Sequence, residues 1–123
     1  MSNKNYVIVV IDDERTPPQL DGGTVLLYKT SKDGLAALHA FRDQGVQIDE
    51  LWLDHDLGYD KTAKYGWDTI MPVVTWLEAL GHYGTPFNVR YIFIHTANVA
   101  AAPAMIDALR PYYTTMTASL PLG

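Results

Sequence analysis

Apolar residues in this chain come in short continuous blocks, each ending abruptly in polar or turn-forming residues. Tyr6 to Ile11 is β-branched and apolar, and predicts a strand that stops at Asp12-Asp13-Glu14-Arg15. Thr16 to Gly23 holds paired prolines and paired glycines, so it reads as a loop and excludes a helix. Thr24 to Tyr28 predicts a short second strand of uncertain direction. Leu35, Leu38, Phe41 and nearby alanines then recur at helical spacing. Thr30 or Ser31 caps that helix, with Asp33 in a capping-box position, and Gly45 stops it. Ile48 to Leu53 predicts a third strand, running into Asp54-His55-Asp56-Leu57-Gly58.

The second half repeats the alternation. Tyr59 to Tyr65 reads as a polar loop carrying Lys61 and Lys64. A helix is expected from Gly66–Thr69 to Leu80, with Pro72 in its first turn and Gly81 ending it. Val89 to Ile94 predicts a strand that ends in His95-Thr96-Ala97-Asn98. Ala100 to Leu109 has helical composition, Pro111 is a stop, and Tyr112 to Thr117 reads as a last strand. Strand and helix in alternation predict one α/β domain over residues 1–123: a three-layer, open, mostly parallel sheet with helices on both faces. The helix after the first strand is replaced by a loop.

The 123 residues suffice for one core without staples, and no apolar run is long enough to span a membrane as a helix. The chain has no cysteine, which excludes disulfides and thiolate chemistry. Met1 to Asn5 lacks the features of a signal peptide, so a cytoplasmic location is expected. Net charge is −5 and the nine Lys and Arg are scattered, which disfavours an extended nucleic-acid surface. A small nucleotide, or only the end of a nucleic acid, stays compatible if a metal ion supplies positive charge.

Three strand ends carry polar chemistry: Asp12-Asp13, Asp54 to Asp56, and His95 to Asn98. In a parallel sheet all carboxyl ends share one edge, so these groups can meet whatever their separation in sequence. One Asp after a strand is commonly a turn residue or helix cap; three such ends together favour a site. Gathered carboxylates repel one another unless a cation holds them, and an oxygen donor set suits Mg²⁺ or Mn²⁺ better than zinc. The expected metal ligands are Asp12 or Asp13 with Asp54, and Asp56 as a further candidate. His55 and His95 each follow an apolar strand, where an imidazole can do acid–base work near neutral pH. His39 and His82 read as surface residues. Arg15 is equally a phosphate clamp or a partner for a surface acid. Trp52, Trp67 and Trp76 read as packing residues, and no Walker or dinucleotide loop occurs.

Asp12-Asp13, Asp54 and Thr96-Ala97 resemble the acidic pair, phosphoacceptor and hydroxyl of response-regulator receiver domains. The chain departs from receivers at its end, with Leu120-Pro121 where they carry Lys-Pro. A closer resemblance is to the receiver-derived family predicted to process cyclic phosphates. Its pattern is similar to Asp12-Asp13-Glu14-Arg15-Thr16-Pro17, Leu53-Asp54-His55-Asp56-Leu57-Gly58 and His95-Thr96-Ala97-Asn98, with Thr96 where the family usually has Ser. That resemblance implies a receiver- or flavodoxin-like fold and a metal-dependent phosphoesterase for 2′,3′-cyclic RNA ends or cyclic nucleotides, in RNA repair or signal degradation. On this reading Asp12, Asp13 and Asp54 hold Mg²⁺, with His55 and His95 as base and acid. Thr96, Asn98 and Arg15 bind the phosphate. The competing readings are a signalling domain with Asp54 as phosphoacceptor and a module that binds a cyclic nucleotide without turnover.

Overall fold

The computed structural model describes residues 6–13, 23–59 and 66–117. β1 (Tyr6–Ile11) is the most apolar strand, and it takes a central place: Val9, Val10 and Ile11 have no exposed surface. It lies between β2 (Gly23–Tyr28) and β3 (Ile48–Leu53), and both pair with it in parallel. The direction of the second strand is thereby settled. Beyond β3 come two short strands, β4 (Asp56–Tyr59) and β5 (Trp67–Thr69), then β6 (Val89–Ile94) and β7 (Thr115–Thr117). The main sheet runs β2-β1-β3-β6-β7, parallel throughout. This is the strand order of a flavodoxin-like, receiver-like α/β fold. The loop expected in place of a first helix, over residues 14–22, lies outside the described residues.

The crossovers explain where the helices sit. α1 (Ser31–Asp43) joins β2 to β3, α2 (Met71–His82) follows β5 and leads to β6, and α3 (Ala102–Leu109) joins β6 to β7. All three move the same way across the sheet, and right-handed crossovers then place them on one face. The packing agrees: Leu38 of α1, Leu77 of α2 and Met105 of α3 share one buried cluster with Val9, Ile11, Leu51, Leu53, Ile92 and Ile94. Alternate strand positions point the other way. There Ile8 and Val10 form a second buried cluster with Tyr6, Val25, Leu27 and Trp52.

Several local expectations hold and some shift. Thr30 caps α1, its hydroxyl accepting the Asp33 backbone N–H at 3.1 Å, and Gly45 follows with φ +68°. Gly34 lets α1 close on β1, since a Cβ there would stand 2.5 Å from the Ile11 side chain. α2 starts later than expected because residues 67–69 are drawn into an antiparallel pair with Asp56–Tyr59. Gly81 does not stop α2, which continues to His82; its missing Cβ makes room for the Tyr112 ring, and the turn with positive φ falls at Gly84. β7 begins at Thr115 rather than Tyr112. Tyr113 is instead buried, its hydroxyl donating to the Leu77 carbonyl at 2.7 Å and accepting the Phe87 N–H at 3.0 Å.

Candidate metal centre

The backbone ladder continues one residue past each central strand. Asp12 N–H donates to the Tyr28 carbonyl at 3.0 Å, Asp54 N–H to Ile11 at 3.1 Å, and His95 N–H to Leu53 at 2.8 Å. The first polar residue of each strand end is therefore held in step by the sheet itself. Side chains alternate along a strand, so Asp12, Asp54 and His95 share the face of Val10, Trp52 and Phe93. Trp52 stacks on Phe93 at 4.6 Å and meets the His95 ring edgewise at 6.2 Å, which walls that side of the site with aromatic carbon.

Asp12, Asp13 and Asp54 each offer a carboxylate oxygen, and these lie within 4.8 Å of one another. Oxygen donors gathered this closely could hold a single cation. Asp12 is almost wholly buried, at 1% exposure. Burial, and then the charges of Asp12 and Asp13, push the Asp54 carboxyl up to about 6. Hydrogen bonds from the Thr96 hydroxyl and the Asp56 backbone N–H pull the other way and do not prevail. A divalent cation would relieve that repulsion. Asp13 closes against Gly58, whose φ of +85° and missing Cβ leave space for the carboxylate; a Cβ there would stand 2.5 Å from Asp13 Oδ2.

The remaining expected site residues divide. Asp56 lies outside the three-carboxylate cluster. Its Oδ1 sits 2.8 Å from His55 Nδ1. Asn98 Nδ2 also approaches that nitrogen, at 3.5 Å. In the neutral tautomer that donates Nδ1–H to the Asp56 carboxylate, Nε2 is the nitrogen left to accept a proton. Asn98 is oriented by its Oδ1, which accepts the Ala101 N–H at 3.1 Å, and its own N–H donates to the Thr96 hydroxyl at 3.0 Å. His95 is 3% exposed and places Nε2 3.7 Å from Asp12 Oδ2, longer than a direct hydrogen bond. The two histidines thus meet different carboxylates, His55 with Asp56 and His95 with Asp12. Arg15, Lys61 and Lys64 lie outside the described residues.

A cavity of about 370 Å³ opens beside Asp13 and Asp54. Asp13, Asp54, Asp56 and Ala97 line it from the strand ends, and Trp67, Asp68 and Thr69 from β5. A larger cavity of about 700 Å³ beside α3 is lined by Thr96 but by none of the three clustered carboxylates. The β4–β5 ribbon that forms the wall of the smaller cavity was not anticipated, nor were Trp67 and Asp68 as site residues. Trp67 is 66% exposed at the rim rather than packed in the core. Tyr59 and Trp67, aromatic residues flanking a polar loop next to Gly58 and Gly66, were the hairpin signal available in the sequence. Asp68 fastens this wall to α1, accepting both the backbone N–H and the hydroxyl of Ser31. No helix among the described residues is long and apolar enough to cross a membrane.

The family model described as the cyclic-phosphate processing receiver domain matches residues 7–111. No curated protein and no solved structure matches the chain.

Proposed function

The chain belongs to the cyclic-phosphate processing receiver domain family, and from that premise we propose that it is a metal-dependent phosphoesterase that opens cyclic phosphates. The observation that carries this reading is the trio Asp12, Asp13 and Asp54, with ligand oxygens within 4.8 Å of one another, of which Asp13 and Asp54 also line a cavity. Mg²⁺ or Mn²⁺ held there would neutralise the phosphoryl oxygens and polarise a water. In the reaction, water adds to phosphorus, one ring P–O bond breaks, and the departing oxygen takes a proton.

His55 is suited to the proton transfers. With Nδ1–H on Asp56, its Nε2 can accept a proton from the water and return it to the leaving oxygen. Asp56 serves as the carboxylate that orients this imidazole. For His95, burial behind Asp12 supports a role on that carboxylate rather than on the substrate. Thr96, which bonds Asp54, and Asn98, which approaches His55, are the residues proposed to steady the phosphate, with Arg15 to clamp it. A 2′,3′-cyclic RNA end or a cyclic nucleotide is the proposed substrate.

The test is incubation with 2′,3′-cyclic and 3′,5′-cyclic nucleotides in Mg²⁺, Mn²⁺ or chelator, followed by product analysis. Opened product should appear only with metal and vanish in Asp54→Ala. His55→Ala should lose turnover while retaining metal, whereas His95→Ala should weaken metal binding. Product in the presence of chelator would overturn the metal assignment. The bond between Thr96 and Asp54 also favours a second reading, in which Asp54 accepts a phosphoryl group as in receivers. Formation of a stable beryllofluoride complex at Asp54, without turnover of any cyclic phosphate, would favour that reading.

A further inference from the structure

The cavity beside the carboxylates poses a problem of affinity. None of its described lining residues is basic, so among them nothing meets a phosphate with positive charge unless a cation is bound. The rest of the substrate must be held in some other way. Trp67 supplies a candidate, because it lines the same cavity as Asp13 and Asp54 yet remains 66% exposed. An indole with that much open surface is not there to fill the core.

Its surroundings keep the ring in place. Tyr59, itself 71% exposed, packs against Trp67 with a ring-centre distance of 5.9 Å and an interplanar angle of 88°. The backbone allows this packing at Gly66, where φ is +79° and a Cβ would stand 3.0 Å from the Tyr59 ring. On the other side of Trp67, Asp68 is tied through both carboxylate oxygens to Ser31 at the start of α1. A ring held this way loses little freedom when a flat partner lands on it.

Resting on the cyclic-phosphate reading above, we infer that the substrate is a nucleotide whose base stacks on Trp67, with Tyr59 as the prop that keeps the indole upright. A nucleobase fits better than an aliphatic group for two reasons. A flat π-face matches the indole, and stacking needs no positive charge from an acidic wall. Stacking of one base on one aromatic side chain changes affinity by about tenfold or more. It also tolerates any of the four bases, which a site acting on cleaved RNA ends requires.

The test is titration calorimetry on the full chain with Mg²⁺ present, using adenosine 2′,3′-cyclic phosphate and glycerol 1,2-cyclic phosphate, which carries the same strained ring without a base. The nucleotide should bind about tenfold tighter. Trp67→Ala should erase that preference and leave the glycerol compound unchanged, while Trp67→Phe should keep most of it. Because Trp67 is exposed, neither variant should disturb folding. Equal affinity for the two compounds, or a preference that survives Trp67→Ala, overturns the stacking inference and leaves the cyclic-phosphate reading standing. Failure of both compounds to bind overturns that reading, and the inference falls with it.

Discussion

Asp68 holds Ser31 with both carboxylate oxygens, one accepting the backbone N–H at 2.8 Å and the other the hydroxyl at 2.5 Å. This single pair ties the β5 wall of the cavity to the start of α1, across 37 positions of sequence. Hydrogen bonds to a charged acceptor contribute roughly 1.5–3 kcal/mol each when half-buried or better. Asp68→Ala, which removes both bonds, is therefore expected to destabilise the protein by about 3 kcal/mol or more and to loosen the wall. Denaturant unfolding should record the loss in stability, and hydrogen exchange should rise at residues 67–69. Asp68→Asn, which can still accept one bond, should fall between.

Gly58→Ala is expected to act on the metal centre without touching any ligand chemically. Its Cβ would press on Asp13 Oδ2, and the residue would also carry a strained positive φ. The carboxylate has to move, so Mn²⁺ affinity should drop by tenfold or more. Gly84 serves as the control: it has the same sign of φ but open space around it. Gly84→Ala should cost about 1 kcal/mol of stability and leave metal affinity unchanged. Equal metal affinity in Gly58→Ala and the parent would refute the steric account.

The pH dependence of the metal-free protein follows from Asp54. Its carboxyl titrates at about 6 in the fold, against 3.8 for an unperturbed Asp, chiefly through burial. Between these values the folded state binds the proton that the unfolded chain has released. Stability therefore falls as pH rises from about 4 through 6, and the penalty is complete at pH 7. Asp54→Asn removes it. Its stabilisation of the metal-free protein should be greater at pH 7 than at pH 5 in parallel thermal melts. Added Mg²⁺ should raise the parent's melting temperature more at pH 7 than at pH 5, since below 6 a proton competes for the site.

Tyr113→Phe tests a pin remote from the site. The hydroxyl bridges the Leu77 carbonyl in α2 and the Phe87 N–H before β6, and both contacts are buried. Its removal leaves a donor and an acceptor unsatisfied, at about 1–3 kcal/mol. Chemical denaturation should detect that cost. Metal affinity should hold at its original value, because no carboxylate of the trio touches this pin.

The order of strands and helices, and the edge of the sheet that carries the chemistry, could be read from sequence. A continuous apolar run such as Tyr6–Ile11 can be shielded only between neighbours, and the residues that end such runs must gather where the strands stop. Asp12, Asp13 and Asp54 were legible for that reason, as were the caps at Thr30 and Gly45, which depend on adjacent residues alone. The β4–β5 ribbon was not. Asp56–Tyr59 and Trp67–Thr69 have little strand character separately and become strands by pairing with each other. Exposure was equally out of reach: Trp52 and Trp67 look alike in sequence, yet one stacks on Phe93 and the other opens to the cavity. The same holds for the histidines. His55 and His95 both follow an apolar strand, but neighbours distant in sequence place one against Asp56 and Asn98 and seal the other behind Asp12. Local pattern determines which side of a strand a residue takes; only the packed fold decides what meets it there.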